Sequence, residues 1–137
     1  CRTDDMHANR PRNRNRGFTL LELMIVVMIV AILAALAISG YDYATRKTRR
    51  AAAQGCLTET AQGLERYYTT HMTYVGATLP VCSADVRQYY TVAFAAGEPT
   101  ASTYTLSAVP QGPQARDTCG TMTLNDRTQK TPATDCW

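Results

Sequence analysis

Glu22 is the side chain whose chemistry most needs explaining. It is the one ionisable residue in the twenty-one from Phe18 to Ile38, a stretch with no Pro and no Gly. A carboxylate in hydrocarbon costs on the order of 2–3 kcal/mol on insertion scales, less near a helix end, so a retained one implies a task and a cation to meet it. Scission after Gly17 would make that cation, the α-amino group of Phe18, one helical turn away in the same chain or at the same depth in a neighbour. The plain alternative is a glutamate that merely leans toward the lipid headgroups. Two further groups can do chemistry. Four cysteines, Cys56, Cys82, Cys119 and Cys136, follow the apolar stretch, and Arg46, Lys47, Arg49 and Arg50 form a basic cluster able to meet phosphates or acidic groups. A zinc site is disfavoured, because there is no CxxC and His71 is the only histidine beyond residue 7. No Ser-His-Asp set, glycine-rich phosphate loop or carboxylate pair stands out, so no enzyme, cofactor or metal is expected.

The element that must position Glu22 is a helix. From Phe18 to Ile38 it would be roughly 30 Å long, about one bilayer core. Five arginines (Arg2, Arg10, Arg12, Arg14, Arg16) and then Gly17 lead straight into it. A secretory signal has an apolar region of about 7–15 residues with its small-residue cleavage site after it. Here the small residue lies before the apolar run, so a cut would leave the helix attached.

Gly17-Phe18-Thr19-Leu20-Leu21-Glu22 resembles the class III signal of type IV pilins and pseudopilins. The resemblance implies cleavage after Gly17 by a prepilin peptidase, N-methylation of Phe18, and use of Glu22 in assembly. It also implies other pilin subunits and the inner-membrane assembly machinery as partners. The chain departs from the pilin pattern in having Ser39 where many pilins have proline and Ala31 where many have glycine, which leaves Gly40 as the expected soft spot.

Three parts are expected: a leader over 1–17, a membrane or filament-core helix over 18–38, and a periplasmic domain over 39–137. Met6 reads as the start, which would make Cys1 a feature of the reading frame alone. The formal charge of +3 resides in the leader, since removing its five Arg and two Asp leaves nine basic and nine acidic residues. The leader arginines favour a cytoplasmic N-terminus, Arg46 to Arg50 blunt that signal, and paired cysteines favour an oxidising compartment for the rest. The chain is therefore expected N-in in the inner membrane, then in the periplasm and the extracellular pilus.

From Ala44 to about Thr70 the helical pattern resumes, with Ala53, Leu57, Ala61, Leu64 and Tyr68 on one stripe. Arg46, Arg49, Arg50, Gln54, Glu59, Gln62 and Arg66 take the opposite face. A helix near 50 residues is expected. Tyr74 to Gln88 reads as a loop, and Tyr89–Ala95, Thr103–Val109 and Thr118–Leu124 read as strands, with GEPTAS and PQGPQARD as turns. The fold class is α+β: a long helix packed on an antiparallel meander of three or four strands. Tyr90, Val92, Phe94, Tyr104, Leu106, Met122 and Leu124 are expected to meet Leu57, Leu64 and Tyr68. Four cysteines admit three pairings. Cys56 with Cys82 and Cys119 with Cys136 is favoured, because Cys119 would open a strand and Cys136 end the loop returning from it.

The run ARDTCGTMTLNDRTQKTPATDCW, with TYTLSAVPQG before it, is similar to minor pilins of the PilE-like kind. By that resemblance Cys119 and Cys136 delimit a region exposed for contacts with surfaces or other subunits. The function this implies is a minor subunit of a type IV pilus serving assembly, twitching motility or adhesion. Two alternatives stand beside it. One is a DNA-uptake pilin using Arg46 to Arg50, Arg87, Arg116, Arg127 and Lys130; residues 45–137 carry a net charge of only +2, thin for that role. The other is a type II secretion pseudopilin, against which the disulfide-rich tail argues.

Overall fold

A computed structural model describes residues 17–133 and 135–137, so the leader with its arginines, and the start at Met6, lie outside the described residues. The chain divides into two compact units, one ending at Ile38 and one running from Ser39 to Trp137. Helix α1, Leu20–His71, contributes 52 residues to the two.

In the first unit the helix begins where the sequence supplies a cap. Thr19 precedes it, and its Oγ1 accepts the Glu22 N–H at 3.2 Å, the Thr-x-x-Glu arrangement that satisfies a first-turn donor with no partner inside the helix. Every side chain from 17 to 38 is exposed. The helix passes through Gly40 without interruption.

The second unit holds the core. Its part of α1 buries Arg50, Ala53, Leu57, Thr60 and Leu64, positions three or four apart that share one helix face. The stripe runs through Thr60, with the expected Ala61 and Tyr68 at its partly buried margin. Against it lies a four-stranded sheet in the order β1 (Tyr90–Phe94), β2 (Thr105–Pro110), β3 (Met122–Asn125) and β4 (Lys130–Thr131). All pairings are antiparallel, with Val92 opposite Ala108 and Leu106 opposite Leu124. In β2, Leu106 and Ala108 are buried while Thr105 and Ser107 are half-exposed, the alternation of a sheet with one covered face. Tyr90, Tyr104, Leu106, Met122 and Leu124 join Leu57 and Leu64 in the core, while Val92 and Phe94 are only partly buried against it.

Three local expectations are corrected. The stretch Tyr74–Gln88 is not all loop, because Ala84–Tyr89 forms helix α2. Six residues with Val86 as the one buried anchor are too short to show a period. The third strand begins at Met122 and not Thr118, since Gly120 has φ +58° and turns the chain out of extended geometry. The separator PQGPQARD is more than a turn, as Gly112–Arg116 forms a 3-10 helix with Pro113 in its first turn. Two disulfides join Cys56 to Cys82 and Cys119 to Cys136, with Cα separations of 5.9 and 5.8 Å. The first ties α1 to the segment before α2; the second closes the last hairpin.

Tyr68, Tyr74 and Tyr104 pack ring on ring, with centroids 4.6 and 4.9 Å apart along the series. Burial, then the hydrogen bond to Glu65, pushes the Tyr74 phenol up to about 12, and burial raises Tyr104 and Tyr90 as well. The fold thus favours the neutral phenols over the unfolded chain, in which they titrate near ~10. This stabilisation is complete below pH 10 and lost as pH rises toward 12. Thermal melts of residues 39–137 should hold a constant midpoint from pH 7 to 9 and fall steeply above pH 10, and Tyr74→Phe should flatten that fall.

Candidate functional site

Gly17, Phe18 and Glu22 are all exposed around the start of α1. Gly17 has no heavy atom within 4 Å of the Cβ position it lacks, and Phe18 is 77% exposed. Glu22 lies in the first turn of α1, where a negative charge complements the helix dipole. Thr19, which sequence reasoning did not single out, positions that turn; its signal was the Thr-x-x-Glu spacing.

The four basic residues after the apolar stretch separate. Lys47 is exposed, Arg46 is half-buried, and the Arg49 guanidinium lies over the Tyr89 ring at 3.7 Å from its centroid. Arg50 is buried, which corrects its assignment to a solvated or ligand-binding face. Its Nε donates to Asp117 Oδ2 at 2.8 Å and its Nη2 to Oδ1 at 2.6 Å, a bidentate charge-assisted pair. The hydrogen bond to Asp117 raises the Arg50 pKa. The signal was present, because position 50 precedes Ala53 by three and Leu57 by seven and so falls on the core stripe. Asp117 carried no sequence signal, since its partner lies 67 positions away.

A second buried polar residue works beside this pair. Gln114, on the 3-10 helix, is fully buried, and its Nε2 donates to the Arg46 carbonyl and to Tyr90 Oη, both at 3.0 Å. Gln114 and Asp117 thereby pin the 3-10 segment to α1 on either side of Arg116. Between the two elements lies a cleft of about 190 Å³ lined by Tyr41, Asp42, Thr45, Arg46 and Arg49 from α1 and Arg116 from across it. The structure therefore gathers Arg46, Arg49 and Arg116, and sets Arg87 on α2 and Arg127 and Lys130 around the last hairpin. There Lys130 Nζ is 5.1 Å from the centroid of Trp137. Among the described residues no group of three or more His, Cys, Asp or Glu could hold a metal ion.

Comparisons with known proteins bear on both regions. Residues 39–123 match the family model described as type IV minor pilin ComP, DNA uptake sequence receptor, and residues 12–38 match the prokaryotic N-terminal methylation motif. The type IV major pilin protein PilA of Myxococcus xanthus (strain DK1622) is 61% identical over 36 residues. That match covers 26% of this chain and spans 16% of the relative's length. A type IV pilin structure from Shewanella oneidensis superimposes with a TM-score of 0.57 at 33% identity, covering 67% of this chain and 97% of that one. The non-core minor pilin PilV of Neisseria meningitidis superimposes at 0.51 and 23% identity, covering 63% and 84%, a likeness of fold.

Asp117→Ala should destabilise residues 39–137 by about 3–5 kcal/mol, because Arg50 is left charged, buried and unpaired. The double change Arg50→Met with Asp117→Leu should recover most of that loss. Urea unfolding of both variants measures the difference, and equal losses would show that the charge left behind is not the cause.

Proposed function

The chain belongs to the type IV minor pilin family ComP, DNA uptake sequence receptor, and from that premise we propose that it is a minor subunit of a type IV pilus, cut after Gly17 and methylated on Phe18. The observation that carries this reading is the exposed apolar helix. In the window of highest hydropathy, none of α1 is buried within the chain, so the stretch must find its apolar surroundings outside it, first in lipid and then among other subunits. Cleavage supplies the α-amino group that a carboxylate in that setting needs, and Glu22 sits in the turn where such an amine would meet it. The partners are a prepilin peptidase with methyltransferase activity, the inner-membrane assembly machinery and other pilins. The N-terminus faces the cytoplasm before assembly. The remaining domain occupies the periplasm, then the fibre.

A second reading, DNA capture by the same subunit, is favoured by the description of the matched family. With Arg50 committed to Asp117, Arg46, Lys47, Arg49, Arg87, Arg116, Arg127 and Lys130 remain to meet phosphates. Arg127 and Lys130 lie beyond the matched 39–123.

Mass spectrometry of fibre-associated protein should find an N-terminal methylated Phe18. Gly17→Leu should leave the precursor uncut, and Glu22→Ala should be cut but absent from fibres; an intact Gly17–Phe18 bond in fibres would overturn the reading. For DNA, residues 39–137 should retard a short duplex at low salt, with log affinity falling by about 0.9 per phosphate contact for each decade of salt. No retardation at low salt removes the second reading alone.

A further inference from the structure

We propose that the cleft between α1 and the 3-10 helix is a site for the phosphate of an anionic phospholipid headgroup. This rests on the reading that Phe18–Ile38 spans a membrane. Three guanidinium-bearing residues, Arg46, Arg49 and Arg116, line about 190 Å³ together with one carboxylate, Asp42. Among the described residues none of the three arginines forms an ion pair; Arg50–Asp117 is the pair that is made. Bringing like charges together is unfavourable unless an anion offsets them, and a guanidinium is the group best shaped for a phosphate.

The convergence is built in. Gln114 fixes the 3-10 helix to the carbonyl of Arg46 itself, and the buried Asp117, next after Arg116, fixes it to Arg50. The position of Arg116 opposite Arg46 and Arg49 is therefore set by buried bonds, not by the arginine's own surface contacts.

The occupant follows from what borders the cleft. Tyr41 lines it, and Tyr41 and Tyr43, three and five residues past Ile38, are 73% and 64% exposed. Tyrosines directly after an apolar span are the pattern of the lipid–water boundary. Arg46 and Arg49 line the same cleft as Tyr41, with the Arg49 guanidinium resting over the Tyr89 ring. A nucleic-acid duplex would call on charges spread along a groove, whereas this cleft has room for one phosphate group, and Arg127 and Lys130 lie on another element. A bound headgroup offsets part of the charge that Asp42 leaves uncompensated, and holds the subunit at the membrane surface before assembly.

The test uses the full chain, produced in bacterial membranes, extracted in mild detergent and weighed by native mass spectrometry. Phosphatidylglycerol should be retained in preference to phosphatidylethanolamine. Arg46→Gln with Arg116→Gln should lower that retention roughly tenfold, by about fivefold per basic residue at an anionic surface less the screening of salt. Arg66→Gln with Arg127→Gln makes the same change of charge outside the cleft and should leave retention within twofold. Equal loss in both variants, or no preference for the anionic lipid, overturns the site. So does a cleft variant that loses binding of a short DNA duplex while keeping its lipid, which would assign the arginines to nucleic acid. Extraction of membranes with alkaline carbonate separates the premise from the site. Release of the chain means the span reading has failed, whereas a retained chain without anionic lipid overturns the headgroup site alone.

Discussion

The Ser39–Trp137 unit depends on one buried pair of charges. Asp117 reaches Arg50 across 67 positions of sequence, and it joins the irregular segment between β2 and β3 to the helix on which the sheet is laid. Both Nε and Nη2 of Arg50 are engaged, which fixes the angle of approach as well as the distance. Desolvating two ions is costly, and a pair of this kind is weak as a source of net stability. What it does enforce is register. The 3-10 helix can sit in one place on α1, because every neighbouring placement leaves a buried charge unpaired.

That constraint carries the rest of the region with it. Gln114 lies three residues before Asp117 and spends its two amide donors on the Arg46 carbonyl and Tyr90 Oη. Tyr90 begins β1, so the network ties helix, 3-10 segment and sheet together at one point. Its Oε1 is buried without a partner among the described residues, a local cost that the two donated bonds and the packing of a fully buried side chain must outweigh. Other contacts hold the rest of the unit: Tyr74 and Tyr104 fill the core with rings, Cys56–Cys82 ties the connecting segment down, and Cys119–Cys136 closes the tail. The second bridge spans 17 positions, a contribution of about 3 kcal/mol by chain entropy.

Where the sequence was legible, a physical period or a short-range rule made it so. The apolar first part of α1 could be read because its residues are contiguous and need no distant partner to declare themselves. The strand expected over Thr103–Val109 could be read because the sheet has one covered face, onto which Leu106 and Ala108 turn. What escaped was either too short or too distant. Helix α2 has one buried side chain, so no period can appear in it. The start of β3 was misplaced because Thr118 and Thr121 have strand-like composition, while the backbone at Gly120, with φ +58°, decides against extension. Arg50 was misread for another reason. Its charge suggests solvent, yet position 50 falls on the buried face of α1, where a carboxylate far along the chain is available to meet it.

Arg46, Lys47, Arg49 and Arg50 therefore show why a run of like charge is not a single feature. A helix turns 100° per residue, so neighbours in sequence face different surroundings. Arg50 faces the core and becomes structure, Arg49 lies over the Tyr89 ring, Lys47 faces solvent, and Arg46 has its carbonyl held by Gln114 while its side chain lines the cleft. Counting the four together overstates the charge offered to any partner, since one is neutralised inside the protein. It also hides the cooperation between them, because the residue removed from the surface helps hold Arg116 beside the two that remain. The net charge of the unit is small, yet its distribution is not, and recognition by a small domain follows the local arrangement and not the sum.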